Sequence, residues 1–364
     1  MSDSNNPISA LNGLPPDLIE AIIPFLPSKS LGRFKSVSKR WYSLISSPEF
    51  IKTHVRNYTK NNPNPNPTHL VLLSDSDVYS VDIKQLNTQP TPATLTAKRL
   101  NFQEPLFEIL GSCNGLLLAN DKHRNLYIVN PSTRKSLKVP TGKHIGTYGF
   151  GYDFSTDDYK VISISRMGIS DSDRDTKFVS VYSLRYNSWN MLPNFPYKHN
   201  NYGPGVLLNN NLHWVVRNKS STLTIAAFSL ASEEFHEIEF PDLINYIQGF
   251  RATCCKLCAF GGKLVVGLQF DEFEFESWVM EEYGVPKSWM NQCFIKKHSE
   301  FFIEFFLQLS NQDILLGDNW VNEIDIYNMD ERRYTSVTVE GCPKEYFMIS
   351  GKYVESIESL ERFR

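Results

Sequence analysis

The pattern of apolar and polar positions divides the chain into a short helical segment and a long β-rich region. Between residues 11 and 58, apolar residues recur every three or four positions, which places them on common helix faces. Pro24 and Pro27 end or distort the first helix, because proline interrupts the helical hydrogen bonds. Ser28 and Ser38 are the predicted N-caps of a second and a third helix. The apolar residues of the three helices are Leu18, Ile19, Ile22, Ile23 and Leu26, then Leu31, Phe34 and Val37, then Trp41, Tyr42, Leu44 and Ile45.

Three helices of this length are marginal on their own. A segment of about 40 residues normally needs support from outside itself, since it cannot bury enough apolar surface. The apolar residues also occupy more than one helix face. We therefore expect the segment to present a surface that a second protein covers.

The β-rich region, residues 69–356, contains an internal repeat. Each copy has an apolar strand, a short polar turn, a second strand with an aromatic or bulky residue, and often a proline. The copies begin at Val78, Leu126, Phe178, Ile225, Glu276 and Glu323. This interval of about 50 residues matches one four-stranded propeller blade. Asn-rich and Gly-Gly turns at residues 209–211 and 261–262 indicate a second hairpin between the copies.

Two hairpins per repeat predict an all-β propeller-like domain of about six blades, with strands from both ends of the domain as candidates for closing the ring. An irregular β-sandwich is the alternative. The predicted order along the chain is a disordered N-terminus (1–10), a helical domain of three short helices (11–58), a Pro/Asn-rich linker (59–68), the β domain (69–358) and a C-terminal tail (359–364).

Composition excludes several classes of protein. The 364 residues carry a formal net charge of −3, so no global field attracts nucleic acid or an anionic membrane. The first residues lack the basic and apolar regions of a secretory signal, and no apolar run approaches the roughly 18 residues of a membrane span. The six scattered cysteines are therefore expected to be reduced thiols in the cytoplasm or nucleus.

Candidate metal and phosphate sites are few. Cys254, Cys255 and Cys258 are the best metal candidates, but a structural zinc site needs a second ligand pair, and buried structural cysteines are the expected interpretation. The sequence Thr141-Gly142-Lys143 lacks the upstream glycine of a P-loop. We predict no catalytic residue, no metal ligand and no cofactor.

Three further stretches have structural explanations that we favour over chemical ones. Gly146, Gly149 and Gly151 are attributed to turn geometry rather than to phosphate binding. Residues 171–175 resemble half of a calcium loop, but the glycine and the closing glutamate are missing, so a hairpin tip is expected. His213, beside Trp214, is expected to lie on the face of a strand.

The basic residues of the helical segment raise one other possibility. Five of them on short helices are compatible with a helix-turn-helix that contacts DNA, although the prolines and the acidic net charge favour a solvated basic surface around an apolar stripe. These residues are Lys29, Arg33, Lys35, Lys39 and Arg40.

The helical segment resembles the F-box of plant F-box proteins. The matching elements are Leu14-Pro15, Leu26-Pro27, Ser30-Leu31, Arg33-Phe34-Lys35, Val37-Ser38-Lys39 with Trp41, and Pro48 with Phe50. The β-rich region resembles the F-box-associated interaction domain of kelch-like F-box proteins. The residues that carry this second resemblance are 111–116 (GSCNGL), 130–134 (NPSTR), 149–153 (GFGYD), 157–161 (DDYKV) and 212–214 (LHW).

The resemblance implies the substrate-recognition subunit of an SCF (Skp–cullin–F-box) ubiquitin ligase, which performs no chemistry itself. The F-box is then expected to dock on a Skp-type adaptor, which links it to a cullin scaffold and to E2 recruitment, while the β domain binds a protein substrate. By position in the motif, the expected adaptor-binding residues are Leu14, Pro15, Ile19, Leu26, Leu31, Val37 and Trp41. Some residues of the motif can equally form the small core of the segment.

The substrate-binding residues cannot be identified from the sequence. A β-propeller enzyme, either a hydrolase or a metal oxidase with an N-terminal docking segment, is the alternative function, and it requires carboxylates, histidines or metal ligands that converge at the mouth of the propeller.

Overall fold

The fold is described from a computed structural model of the chain. The residues that the structure describes are 18, 21–47, 49–51, 53–54, 57, 68–75, 77–87, 94–140, 145–166, 177–192, 195–197, 203–240, 255–269, 274–296, 305–317, 323–343 and 348–363. The predicted disordered N-terminus and most of the predicted linker lie outside these residues, as do the TGK sequence and residues 171–175. No helix among the described residues is long and apolar enough to cross a membrane.

The described residues of the helical segment include the α-helices Ser28–Phe34 and Lys39–Ser46, together with shorter helical stretches. Residues 18 and 21–22 are helical and continue into a 3-10 turn, Ile23–Phe25, which ends before Pro27. The two regular helices are α1 (Ser28–Phe34) and α2 (Lys39–Ser46). Residues 49–51, 53–54 and 57 are helical as well, after Pro48. These residues lie within the segment 11–58 that was predicted to be helical, but no separate helix was predicted for them.

Four antiparallel four-stranded sheets form separate blades. The first blade contains β4 (Glu108–Cys113), β5 (Leu116–Asn120), β6 (Leu126–Asn130) and β7 (Lys135–Val139). The second contains β8 (Ile145–Asp153), β9 (Asp158–Arg166), β10 (Lys177–Ser183) and β11 (Ser188–Leu192). The third contains β12 (Val206–Leu208), β13 (Asn211–Arg217), β14 (Leu223–Ser229) and β15 (Phe235–Glu239). The fourth contains β16 (Cys255–Phe260), β17 (Lys263–Gln269), β18 (Glu274–Met280) and β19 (Trp289–Lys296), with a 3-10 turn at Pro286–Ser288.

The remaining eight strands form one sheet, which we call the closing sheet. Its first half is the last strand of the chain, β24 (Met348–Tyr353), followed by β1 (His69–Ser74), β2 (Asp77–Asp82) and β3 (Thr94–Leu100). Its second half is β20 (Phe305–Gln308), β21 (Asp313–Gly317), β22 (Glu323–Asn328) and β23 (Arg333–Glu340). A 3-10 turn at Ile83–Asn87 follows β2, and another at Leu360–Phe363 ends the described chain.

The prediction of an all-β propeller-like domain is confirmed, but the number of separate blades differs from the expected six. The two halves of the closing sheet are each four strands, and they are joined because β23 pairs in parallel with β3 over Thr338–Thr94, Val339–Leu95 and Glu340–Thr96. Edge strands present unpaired backbone groups, and here two edges satisfy one another. Strands from both ends of the domain do pair, since β24 lies antiparallel to β1.

The first strands of successive blades contact one another around the ring, in the order β24, β4, β8, β12, β16 and β20. Apolar side chains from neighbouring sheets fill the space between them in separate clusters. One cluster joins the first and second blades through Leu118, Ile128, Phe150 and Tyr159, and a different one joins the third and fourth blades through Ile225 and Val266. Each blade thus buries both of its faces.

Candidate functional site

The core of the helical segment is completed by the far end of the chain. Five apolar side chains of the segment cluster with Ile357, which follows β24. The buried members from the segment are Ile23, Leu31, Ile45, Phe50 and Ile51. The core of the segment therefore includes a residue from the far end of this chain, and the expectation that a second protein covers part of the segment stays a prediction.

The two predicted helix caps behave differently. Ser38 is the N-cap of α2, and its Oγ accepts a hydrogen bond from the backbone nitrogen of Trp41 at 3.2 Å. The prediction for Ser28 is wrong: α1 begins after Pro27, and no side chain caps it. Instead, Ser28 Oγ donates to the carbonyl oxygen of Glu355 at 3.0 Å, which joins the helical segment to the residues after β24.

A buried histidine, His54, lies beside Ser28, where the helical segment contacts the residues after β24. His54 is 4% exposed, and its Nδ1 lies 2.8 Å from the carbonyl oxygen of Pro24, to which it donates. Its Nε2 lies 3.4 Å from Ser28 Oγ. Burial lowers the pKa of His54, although the hydrogen bond to Pro24 opposes this effect. His54 was not identified from the sequence, because no separate helix was predicted for the stretch that carries it.

The residues expected to bind an adaptor occupy different environments. Leu14, Pro15 and Ile19 lie outside the described residues. Leu31 is fully buried in the core of the segment, so its side chain is not exposed to a partner in this structure. Leu26 and Trp41 are partly buried at the edge of that core, where the Trp41 ring lies 5.3 Å from the ring of Phe34. Val37 is 42% exposed in the turn between α1 and α2.

Several large apolar side chains of the segment that were not assigned to the interface are exposed to solvent. With Val37, they form what we call the exposed apolar set, and they are Leu18 (50% exposed), Ile22 (47%), Phe25 (63%) and Tyr42 (59%). The spacing of Leu18, Ile22 and Phe25, four and then three residues, is the spacing of one helix face and could have identified them.

One motif of the β-rich region, residues 130–134, binds the residues after β24 that contact the helical segment. Asn130 is fully buried, and its Nδ2 donates to the carbonyl oxygens of Ser356 at 3.2 Å and Glu358 at 2.8 Å. Its Oδ1 accepts from the backbone nitrogens of Ser132 at 2.8 Å and Thr133 at 3.2 Å. The sequence at residues 130–133 therefore binds the residues after β24 to the first blade through hydrogen bonds of Asn130.

Two further contacts hold the end of the chain. At Gly115, where φ is +79°, a Cβ would lie 2.2 Å from the Cβ of Ser356, so only glycine allows this close approach. Tyr159 Oη donates to Glu358 Oε2 at 3.0 Å, and Glu358 is fully buried. The motifs of the first and second blades thus place Ile357 and Glu355 where the helical segment meets them.

The glycine run at residues 146–151 lies in strand β8, so the expectation of turn geometry is wrong. A Cβ at Gly149 would lie 2.6 Å from Cζ2 of Trp214, and a Cβ at Gly151 would lie 2.5 Å from Cδ1 of Leu230. The glycines allow the second blade to approach the third closely. This explains the LHW motif too, because the Trp214 ring fills the space that Gly149 and Gly205 leave open.

The candidate metal ligands do not converge. Cys255 and Cys258 are three residues apart on β16, so their side chains point to opposite faces of the sheet and join different apolar clusters. Cys254 lies outside the described residues. Within the described part of the chain, no group of three or more His, Cys, Asp and Glu side chains could hold a metal ion.

His213 does not have the properties of a catalytic base. It is fully buried on β13, its Nδ1 lies 3.0 Å from the carbonyl oxygen of Val206, and its Nε2 lies 2.8 Å from Tyr283 Oη. Burial lowers the pKa of His213 to about 4 and raises the pKa of Tyr283 to about 12. Both ring nitrogens have hydrogen-bond partners. His213 on β13 is thereby connected to Val206 on β12 and to Tyr283, which follows β18.

Four of the five basic residues of the segment are exposed. Lys29, Arg33, Lys39 and Arg40 are exposed, whereas Lys35 is partly buried and its pKa is lowered by burial, with Glu361 acting in the opposite direction. The choice between a solvated basic surface and a DNA-binding one stays a prediction.

Comparison with known proteins identifies both regions. Residues 11–53 match the F-box domain model, and residues 69–360 match the F-box associated beta propeller domain model. The F-box protein CPR1 of Arabidopsis thaliana is 27% identical, over 92% of this chain and 86% of its own length. The F-box/kelch-repeat protein At3g23880 of the same plant is 25% identical, over 94% of this chain and 96% of its own length. The match over residues 69–360 covers most of the chain, which therefore belongs to the F-box proteins that carry an F-box associated β-propeller domain.

Proposed function

We propose that this protein is the substrate-recognition subunit of an SCF ubiquitin ligase. Its F-box docks on a Skp-type adaptor, which links it to a cullin scaffold and to a recruited E2 enzyme. Its propeller-like domain binds a target protein for ubiquitination and degradation. The protein itself is a non-catalytic receptor and works in the cytoplasm, the nucleus or both.

The exposed apolar set carries this proposal. Leu18, Ile22, Phe25, Val37 and Tyr42 are large apolar side chains that the propeller-like domain leaves uncovered. Large exposed apolar side chains gathered within about 25 residues are typical of a docking surface, and aromatic residues commonly anchor such surfaces. The exposed basic residues of the same segment suit the rim of an interface.

The non-catalytic role is supported by the state of the candidate nucleophiles and bases. Burial raises the pKa values of the Cys113, Cys258 and Cys293 thiols, which disfavours the reactive thiolate. His213 is neutral and engaged at both nitrogens. No specific observation favours the enzyme alternative.

Co-purification with an adaptor tests the proposal. A Phe25→Ala/Tyr42→Ala double variant should lose most of the Skp-type adaptor and cullin that the wild-type chain retains, while its thermal unfolding midpoint stays within a few degrees of the wild-type value. Tyr186→Ala is the matched control, because Tyr186 is 74% exposed on the second blade and belongs to no docking surface in this account. Equal recovery of the adaptor by the double variant and the wild type would contradict the proposal.

Target proteins can then be sought with the same pair of variants. Plant extract is passed over the full chain with the proteasome blocked, and proteins retained by both the wild type and the double variant are candidate targets. Proteins lost with the double variant belong to the ligase. Point variants are better suited than removal of residues 1–60, since that deletion would uncover Ile357 and create a new apolar surface.

A further inference from the structure

The space enclosed by the first strands of the propeller forms a cavity of about 580 Å³. Its walls come from β4, β12, β13, β16 and β24, and therefore from three blades and the closing sheet. Cavities that bind small molecules have volumes of about 300–1,000 Å³ and are mostly apolar with a few polar groups. The apolar wall includes Leu207, Val215, Leu257 and Met348.

A lysine without a carboxylate partner lies in this wall. Lys352 is on β24, and its Nζ donates to the carbonyl oxygen of Ala259 on β16 at 3.2 Å. An ammonium group has three donors, and among the described residues no ion pair is formed by this one. Glu108 also lines the cavity, but its Oε2 accepts from Asn120 Nδ2 at 3.0 Å. Burial lowers the pKa of Lys352, with the Cys258 thiol acting in the opposite direction. A cation in such a place is stabilised when an anion joins it.

Trp214 also lines the cavity, but its Nε1 does not open into it. The residue is 2% exposed, its ring fills the space beside Gly149 and Gly205, and Nε1 itself is buried. The site therefore depends on the donors of Lys352.

We propose that the cavity binds one small organic anion, a carboxylic or sulfonic acid with an apolar body. The acid group pairs with Lys352 Nζ, and the apolar body lies against Leu207, Val215, Leu257 and Met348. The site lies in the propeller-like domain and is separate from the exposed apolar set of the F-box, so it does not depend on adaptor binding.

Calorimetric titration of the full chain with three probes tests the proposal. Naphthalene-1-sulfonate has both the charge and the apolar body, naphthalene-1-sulfonamide is its neutral counterpart, and acetate has the charge alone. The sulfonate should bind at one site per chain, about tenfold or more tightly than either of the other two, since a charge-assisted hydrogen bond is about twice as strong as a neutral one. Equal affinity for the sulfonate and the sulfonamide would overturn the proposal without the use of any variant.

Variants at the lysine locate the site. Lys352→Met should weaken sulfonate binding about tenfold and leave sulfonamide binding within twofold, which also shows that the variant is folded. Lys352→Arg should keep most of the preference for the anion, and Lys287→Met, at an exposed position in the fourth blade, should change nothing. Unchanged sulfonate binding by Lys352→Met would overturn the proposal. The Phe25→Ala/Tyr42→Ala variant should bind the sulfonate like the wild type, so a failure here is distinct from a failure of the adaptor proposal.

Discussion

In the propeller-like domain each blade packs between two neighbours, whereas the described residues of the F-box core pack against the end of the chain, after β24. The blades bury apolar side chains on both faces, and the ring is completed by β24 and by the pairing of β23 with β3. The F-box shares one small core with Ile357 and leaves Leu18, Ile22, Phe25, Val37 and Tyr42 exposed.

The difference bears on the docking surface that we propose for the F-box. The interior of the F-box packs against Ile357, and Ser28 donates a hydrogen bond to the carbonyl oxygen of Glu355, whereas the exposed apolar set makes no part of that core. We therefore propose that folding and docking use different residues of the same segment. The following predictions test that separation, beginning with the contacts between blades and ending within the F-box.

The largest effect is expected at a buried ion pair between the second and third blades. Lys160 Nζ lies 3.0 Å from Asp153 Oδ2 and 2.8 Å from Glu233 Oε1, and Asp153 is fully buried. Lys160→Ala should lower the free energy of unfolding by about 3–5 kcal/mol, because it leaves the Asp153 carboxylate uncompensated. Urea denaturation measures this loss.

An exposed ion pair provides the control for that experiment. Lys296 Nζ lies 2.7 Å from Glu274 Oε1, but the lysine side chain is 61% exposed. Lys296→Ala should change the free energy of unfolding by less than about 1 kcal/mol. Similar losses for the two lysine variants would contradict the role given to burial.

The next effect is confined to the F-box. Ile357→Ala should destabilise the F-box core by about 2–5 kcal/mol, because it removes a buried side chain that the segment cannot replace. Amide hydrogen exchange should become faster in α1 and α2, while β5 and β14 keep their protection. Faster exchange throughout the propeller-like domain would show that the two regions unfold as one unit.

The stability of the propeller-like domain should also depend on pH through His213. Its pKa is about 4 in the fold and about 6.5 in the unfolded chain, so the unfolded chain binds the extra proton first. The resulting stabilisation of about 3 kcal/mol is present above pH 6.5 and is lost as the pH falls towards 4. In His213→Gln this part of the pH dependence should disappear, whereas His123→Gln, at an exposed position, should retain it. Urea denaturation at pH 7 and pH 4.5 separates the two outcomes.

The smallest effect is expected at the cap of α2. Ser38→Ala removes the hydrogen bond to the Trp41 backbone nitrogen and should cost about 1 kcal/mol. Exchange should rise at the start of α2 only. Ser36→Ala, in the preceding turn, is the control, and an equal effect of the two serine variants would argue against the cap.

The repeat was predictable from the sequence because every blade presents the same pattern. The six predicted copies begin within β2, β6, β10, β14, β18 and β22, which are every fourth strand of the domain. The alternation of apolar and polar residues in strands and the residues of turns are local signals, so each blade can be recognised from its own sequence. The joining of the two end units into the closing sheet was not predictable, since it depends on where two distant edges meet.

The proposed docking surface was predictable from the sequence only as a segment, and not residue by residue. Short helices with apolar residues on several faces do not show which face is buried, and here Ile357, more than 300 residues from Leu31 in sequence, decides it. Leu31 is therefore inside, while Phe25 and Tyr42, which motif position did not single out, are outside. The roles of Asn130 and Gly115 were hidden for the same reason, because both act on residues after β24.

The separation of folding from docking is tested most directly by photo-crosslinking from a single position. A benzophenone side chain is introduced in place of Tyr42 in one preparation and in place of Tyr186 in another, and each is irradiated with a Skp-type adaptor. The account predicts a crosslink to the adaptor from position 42 and none from position 186. A preparation that binds the adaptor but crosslinks to it only from position 186, or from neither position, would contradict the account.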